Sequence, residues 1–375
     1  MPPPPPSPDV RDLLHERLDA LLDECNQVMD AAAYGQTIHD LDDFMLIAGK
    51  KLLQEVMQQK LQERIEQAEQ KPENKQCPQL FLPVLREYQN NKTKTVGSAH
   101  GPLTLCRQYR YCIRCETYSH PVEVTLGLDK SYTNGLNRLV SRCCGLWSYR
   151  MATDNLQELC GIHLSHTTVG EIAADTADTI AARMESRSEE IRNAFQQAKG
   201  EGEFYADGTF IHIRNDNDKA EWREMKVGAF AKRERGEPAT PSEWNTRKLP
   251  EPNVVSAFAA IADKGEFQEM CQSMRRRLGV GGVSSALGDG AKWIWNVVWE
   301  VFGKTEECLD VYHRERLASG RVIGSGLIEG ACKNLVGRRL KQTGACWRLP
   351  RANRIAGLCA VLYSGQWKDC WKKSN

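Results

Sequence analysis

The sequence predicts an α/β protein: a mixed five-stranded sheet flanked by helices, preceded by an N-terminal α-helical region, a small β segment and a helix-turn-helix-like segment. Three observations predict it. Apolar residues recur at helical spacing in the first 75 positions and again over 136–195. Between 203 and 313, apolar runs of strand length are interrupted by runs of helical period. A chain of 375 residues, 41% hydrophobic and 26% charged, suits about two or three folded units and argues against wholesale disorder.

In chain order, residues 1–8 are a proline run, expected to be an extended, disordered tail. Leu14, Leu18, Leu21, Leu22 and Cys25 predict one helix. Leu52, Leu53, Val56, Met57, Leu61 and Ile65 predict a second, closed by the break at Lys71-Pro72. Residues 9–75 therefore read as a helical region, a hairpin or dimerisation arm whose polar faces mix both charges. A zinc-ribbon-like segment is expected over 76–128. There a half-alternating strand from Thr104 to Tyr111 runs into Cys112-Ile113-Arg114-Cys115. A CxxC after a strand presents two thiolates from one tight turn, but a full zinc site needs two more ligands. Cys77, His100 and His120 are the candidates; the alternative is a degenerate ribbon packed by its apolar residues.

Residues 129–199 read as helical. Within them Leu156–Val169 has the form of a helix-turn-helix, with Gly161 ending one helix and Ser165 capping the next. Asp154, Glu158, Glu171, Asp175 and Asp178, without a Lys or Arg over 151–182, argue against a groove-reading helix. Strands are then expected over 203–213, 221–231 and 253–262, a helix over 266–277, and a short strand running into Gly288-Asp289-Gly290. A nearly all-apolar helix, a strand from Cys308 to His313 and a last helix starting near Gly324 follow. The expected α/β core spans 200–345 and a basic tail 346–375.

Charge sharpens this division. Residues 1–75 carry 8 Lys/Arg against 15 Asp/Glu, whereas residues 321–375 carry 11 against 2. A polyanionic partner is thus expected at the C-terminal end. No apolar run reaches the roughly 18–20 residues of a membrane span, and no signal-peptide pattern precedes the helices, so a cytoplasmic location is expected. The 14 cysteines are scattered, which favours reduced thiols and one metal site over a disulfide framework.

Three strands, a helix, then strand–helix–strand–helix is the order of a ribonuclease H-like domain. Its chemistry needs carboxylates converging on two divalent cations. Asp207 inside the first strand, Asp289 after the fourth and Glu329 on the last helix form such a set. Hard Mg²⁺ or Mn²⁺ ions suit their oxygen donors.

The motifs Tyr205–Thr209, Glu221–Gly228, Leu287–Trp295, Leu309–His313, Ile323–Lys333, Gly337–Gly344 and Ser364–Trp367, with Thr37–Leu41 and Cys112–Cys115, resemble the DDE transposases of bacterial insertion sequences, most closely the Kra-type family. The resemblance covers almost the whole chain after the proline run. It implies that Asp207, Asp289 and Glu329 bind two Mg²⁺ or Mn²⁺ ions, and that His313, with Asp310, orients the scissile phosphate or a water. It implies that Lys333, Arg338, Arg339 and Lys341 hold double-stranded DNA, both element ends and target. It further implies a homodimer on DNA in a bacterial, nucleoid-associated setting. The activity implied is strand cleavage followed by strand transfer.

One departure bears on this. The family's long helical insertion between the Tyr-His strand and the glutamate helix is missing near 314–320. Two alternatives follow: an internally deleted, inactive copy that binds DNA or interferes with a full-length partner, and a metal-dependent nuclease on the same fold.

Overall fold

The computed structural model describes residues 10–77, 79–80, 85–87, 92–120, 122–243, 246–309, 316, 318–324, 326–342 and 344–372. They form two compact units. The first is drawn from residues up to Leu139 together with Leu156–His163, the second from Val140–Asn155 and Leu164 onward.

In the first unit, helices α1 (Val10–Ala31) and α2 (Thr37–Gln70) form the expected hairpin, tied by an Arg17–Glu55 ion pair at 2.8 Å. Strands β2 (Lys92–Ser98) and β3 (Gly101–Arg107) pair antiparallel and lie on α2. Ile65 and Ala68 of α2 share a core with Val96, Leu103, Leu105, Val122 and Leu128. A polar face of α2 also packs on a strand. Gln54, Gln58 and Gln62, one helical turn apart, meet the backbone of Pro102, Thr104 and Cys106, every second residue of β3. A turn of helix rises about 6 Å and two strand residues about 6.8 Å, so the spacings match and the edge of β3 is closed.

The strand expected over Thr104–Tyr111 is broken at Gln108. β3 stops at Arg107, and β4 (Arg110–Cys112) belongs to another sheet, between β1 (Leu85–Glu87) and β5 (Thr117–Ser119). Arg107 turns its guanidinium to Glu123 at 2.5 Å, and the Gln108 amide is held by Glu69 at 2.6 Å, which fixes the corner.

The second unit is a mixed sheet flanked by helices, compatible with the expected class. Its strand order is β10 (Glu306–Leu309), β9 (Ser285–Gly288), β6 (Glu201–Arg214), β7 (Ala220–Arg233), β8 (Val254–Ile261). β6–β7–β8 are antiparallel, and β9 and β10 run parallel to β6. The sheet has six strands, not five: β11 (Trp347–Arg348) pairs with the far end of β6. Two residues carry no periodicity, so this strand left no pattern in the sequence.

One face of the sheet is covered by α7 (Ser188–Gln197), α8 (Lys264–Leu278) and α9 (Lys292–Phe302) around Phe204, Phe230, Phe258 and Phe267. α8 starts at a capping box between Asp263 and Glu266 and stops at Gly279, whose φ of +67° suits glycine. Helix α10 (Gly326–Ala331) continues through a π-helical stretch (Cys332–Gly337) into the turn α11 (Arg338–Leu340), and α12 (Leu349–Tyr363) follows. Asn353 of α12 and Ser364 just beyond it accept the Ile261 and Ala257 amides, closing the edge strand β8. In the segment read as helix-turn-helix-like, a helix over Tyr149–Cys160 ends at Gly161. Gly161 has φ +53°, and the Ser165 side chain accepts the Thr168 amide to open α6 (His166–Ser186). α6 packs on α12; Val169, Ile172, Ala173, Thr176 and Ile180 are buried, and its outer face shows Glu171, Asp175 and Asp178.

Candidate active site

Strand pairing brings the first two acids together. β9 runs parallel to β6 with Ala206 opposite Gly288, so Asp207 and Asp289 are the next residues of neighbouring chains, whose spacing is about 4.8 Å. Gly288 is required for that approach: a Cβ there would lie 2.9 Å from the Ala206 carbonyl oxygen and 3.0 Å from Ile294. Asp289 is exposed at the strand end. Its Oδ1 accepts the Ala291 amide at 2.9 Å, and its carbonyl accepts the Trp295 indole N–H at 3.1 Å, so the start of α9 fixes the loop.

Asp207 is half-buried. Its Oδ1 accepts the Gly208 amide at 2.7 Å and its Oδ2 accepts the Cys332 thiol at 3.3 Å. The thiol contact also places the third acid. Glu329 lies three residues before Cys332, on the same side of the helix, and α10 packs on β6 and β7. Burial pushes the Asp207 carboxyl above the ordinary carboxylate range. The thiol and the Gly208 amide pull it down, while the charges of Asp289 and Glu329 push it up further. The three expected acids therefore stand close enough to repel.

Lys341 bonds the hydroxyl of Thr209, two residues beyond Asp207 on the same face of β6. Lys333 and Arg338 are exposed on the helix that follows Glu329. Arg339 departs from the expectation of DNA contact: it is only 2% exposed. Its Nε donates to the Cys144 carbonyl at 2.5 Å, and its guanidinium lies 4.7 Å from the ring centres of both Tyr149 and Trp347. Consecutive helical residues point about 100° apart, so Arg338 faces solvent while Arg339 turns into the core. Asp310 and His313 lie outside the described residues.

Sequence reasoning gave Cys332 no functional role and missed its bond to Asp207; its i+3 spacing from Glu329 was the available signal. It also passed over Lys226, buried beside the site on β7. Lys226 bonds Glu224 at 2.8 Å and the Ala262 carbonyl at 2.9 Å, and sits over the Trp293 ring.

A second cluster lies in the first unit. Among the described residues, one group of three metal-ligating atoms falls within 4.8 Å of one another: the thiols of Cys77, Cys112 and Cys115. The acidic trio is more open than this.

A scan against protein-family models returns no match for this chain, and a search of curated proteins returns none either. Among the described residues, no helix is long and apolar enough to cross a membrane.

Proposed function

We propose that this chain is a DDE-type transposase, a metal-dependent enzyme that cleaves and joins DNA strands at insertion-sequence ends on a ribonuclease H-like core. The observation that carries the reading is the register of β6 and β9, which sets Asp207 beside Asp289 with the Glu329 helix packed on the same strand. The sheet order, three antiparallel strands followed by two parallel to the first, supports the core assignment.

The residues suit hard divalent cations. All three donors are carboxylate oxygens on separate elements, and the Asp207 carboxyl is held up by burial and by its acidic neighbours, a repulsion that a bound cation relieves. Bound Mg²⁺ or Mn²⁺ supplies an activated water and charge neutralisation at phosphate. The chain's own residues do the rest. Gly208 and Cys332 fix both oxygens of Asp207, and Ala291 fixes one of Asp289. Lys341, tethered to Thr209, and the exposed Lys333 and Arg338 offer cations to the DNA backbone. Double-stranded DNA is the partner, held by a homodimer.

The test is nicking of a plasmid carrying the gene's flanking DNA, with Mg²⁺ or Mn²⁺, by the native protein and by Asp289→Asn. The expected outcome is cleavage at one defined end that falls by about a thousandfold or more in the variant, with DNA binding retained. Cleavage unaffected by the substitution would falsify the assignment.

One observation favours the second reading, an internally deleted copy that only occupies DNA. Arg316, at the short connection where the insertion is missing, is 3% exposed; it pairs Glu306 at 2.9 Å and bonds the Val322 carbonyl at 2.7 Å, but among the described residues its Nη2 meets no acceptor, nor does Nη1 of the half-buried Arg247. Among the described residues, these N–H groups are left unmatched beside the shortened connection, which is costly when buried. DNA binding without cleavage in the same plasmid assay selects this reading.

A further inference from the structure

We infer that Cys77, Cys112 and Cys115 bind one zinc ion as thiolates, and that its fourth position is left open to water or an added ligand. This site is independent of the DNA-cleavage reading and lies entirely in the first unit.

Geometry comes first. Tetrahedral zinc with Zn–S bonds of about 2.3 Å separates its sulfurs by about 3.8 Å. The three thiols lie within 4.8 Å of one another, and the Cys77 and Cys115 sulfurs are 3.3 Å apart. Cys77 and Cys112 are 1% and 0% exposed, and Cys115 is half-buried, so the cluster opens toward solvent on one side. Soft thiolates select zinc over magnesium or calcium. A single buried cysteine is an ordinary small hydrophobe; three converging from two separate stretches of chain are not.

The fold needs what such an ion supplies. β1, β4 and β5 are three residues each, too short to hold a sheet by their own ladder. Cys112 closes β4, Cys115 sits in the turn before β5, and Cys77 follows the 3₁₀ turn at the end of α2. One ion across the three ties the exit of α2 to the β4–β5 hairpin.

Among the described residues, no fourth ligand joins the three thiols. His120 lies beyond the end of the β4–β5 pairing remote from Cys112, where Arg110 pairs Ser119; it bonds the Gln108 carbonyl at 2.9 Å and stacks on Tyr109. His100 is in the β2–β3 turn, in the other sheet, and Cys106 points from β3. The stretches of this segment outside the description, Pro78, Phe81–Val84, Tyr88–Asn91 and Pro121, contain no cysteine, histidine or carboxylate. This makes a three-thiolate site with an exchangeable position, rather than the closed four-ligand site of a structural ribbon.

The experiment uses the full chain, expressed with added zinc and purified without chelator. Metal analysis is expected to give about one zinc per chain, and chelation should make three thiols newly reactive toward a thiol reagent. Cys77→Ser and Cys112→Ser should each weaken zinc binding at least about tenfold. Cys106→Ser should bind as the native chain does. Less than about a tenth of an equivalent after reloading overturns the proposal, as does native-like binding by Cys77→Ser. Because a serine variant can misfold, the native chain is also loaded with Co²⁺. A cobalt–thiolate charge-transfer band that shifts on adding imidazole or a small thiol supports the open position. A tetrahedral spectrum that ignores both overturns it.

Discussion

The acidic centre of the second unit and the thiol cluster of the first solve opposite problems with similar numbers of ligands. The thiols are largely buried and crowd within 4.8 Å of one another. The carboxylates stand farther apart, two exposed and one half-buried, and each is placed by a different element. Crowded soft donors in a short-stranded sheet suit an ion that stays and holds the fold. Open hard donors on the central strands of a sheet suit ions that exchange ligands with a substrate phosphate. Burial and spacing, more than ligand identity, separate a staple from a reaction centre.

The largest effect expected from this contrast is at Asp207. Asp207→Asn should lower metal-dependent cleavage by about a thousandfold or more while leaving DNA binding intact. In metal-free protein the same substitution should raise stability. The folded-state carboxyl is pushed above its ordinary value, so ionised Asp207 costs stability at neutral pH, and the cost fades as pH falls through that raised value. The thermal midpoint of the variant should therefore exceed the native one at neutral pH and converge on it in acid. A variant no more stable than the native chain at neutral pH would break the claim that the acidic centre is held under repulsion. The thiol cluster predicts the reverse, since stripping its metal should destabilise the first unit.

Arg338 and Arg339 repeat the contrast within two residues. Arg339→Ala should cost about 2–4 kcal/mol, since it empties a packed position between two rings and leaves the Cys144 carbonyl without its donor. The salt dependence of DNA binding should not change. Arg338→Ala should scarcely alter stability, yet reduce the slope of log affinity against log salt by about 1. Denaturant melts and salt titrations of both variants check this together. An Arg339 variant with native stability and a reduced slope would return Arg339 to the DNA surface.

Much of the second unit was legible in the sequence because long, both-faced apolar runs such as Phe204–Ile213 have one fold-compatible use. The acids were legible for the same reason, since Asp207 interrupts a buried run and Asp289 ends another. What escaped depends on partners far along the chain. Arg339 reads as surface until Tyr149 and Trp347 are placed around it. The α2 glutamines carry no signal of their own until β3 lies against them. Cys77 reads as one of three candidate ligands, beside His100 and His120, until the exit of α2 meets the β4–β5 turn and singles it out. The corner at Gln108 was hidden because Thr104–Tyr111 alternates well enough for one strand, and only the tertiary bonds of Arg107 and Gln108 break it.

The smallest effect expected is at Cys332, where a soft donor serves the hard centre. Its thiol is one of two hydrogen bonds that favour ionised Asp207 against burial. Cys332→Ala removes that bond, so the Asp207 carboxyl should move further up and its ionised form should cost more. In metal-free protein the alanine variant should then lose stability on going from acid to neutral pH by more than the native chain does. Cys332→Ser, which keeps a donor at the same place, should restore the native pH dependence. Packing alone predicts another pattern: both variants would be destabilised equally at every pH, and serine, with a half-buried hydroxyl in place of sulfur, would be the worse of the two. The comparison therefore reads the hydrogen bond and not the volume of the side chain, and it decides whether Cys332 positions Asp207 or merely fills the space beside it.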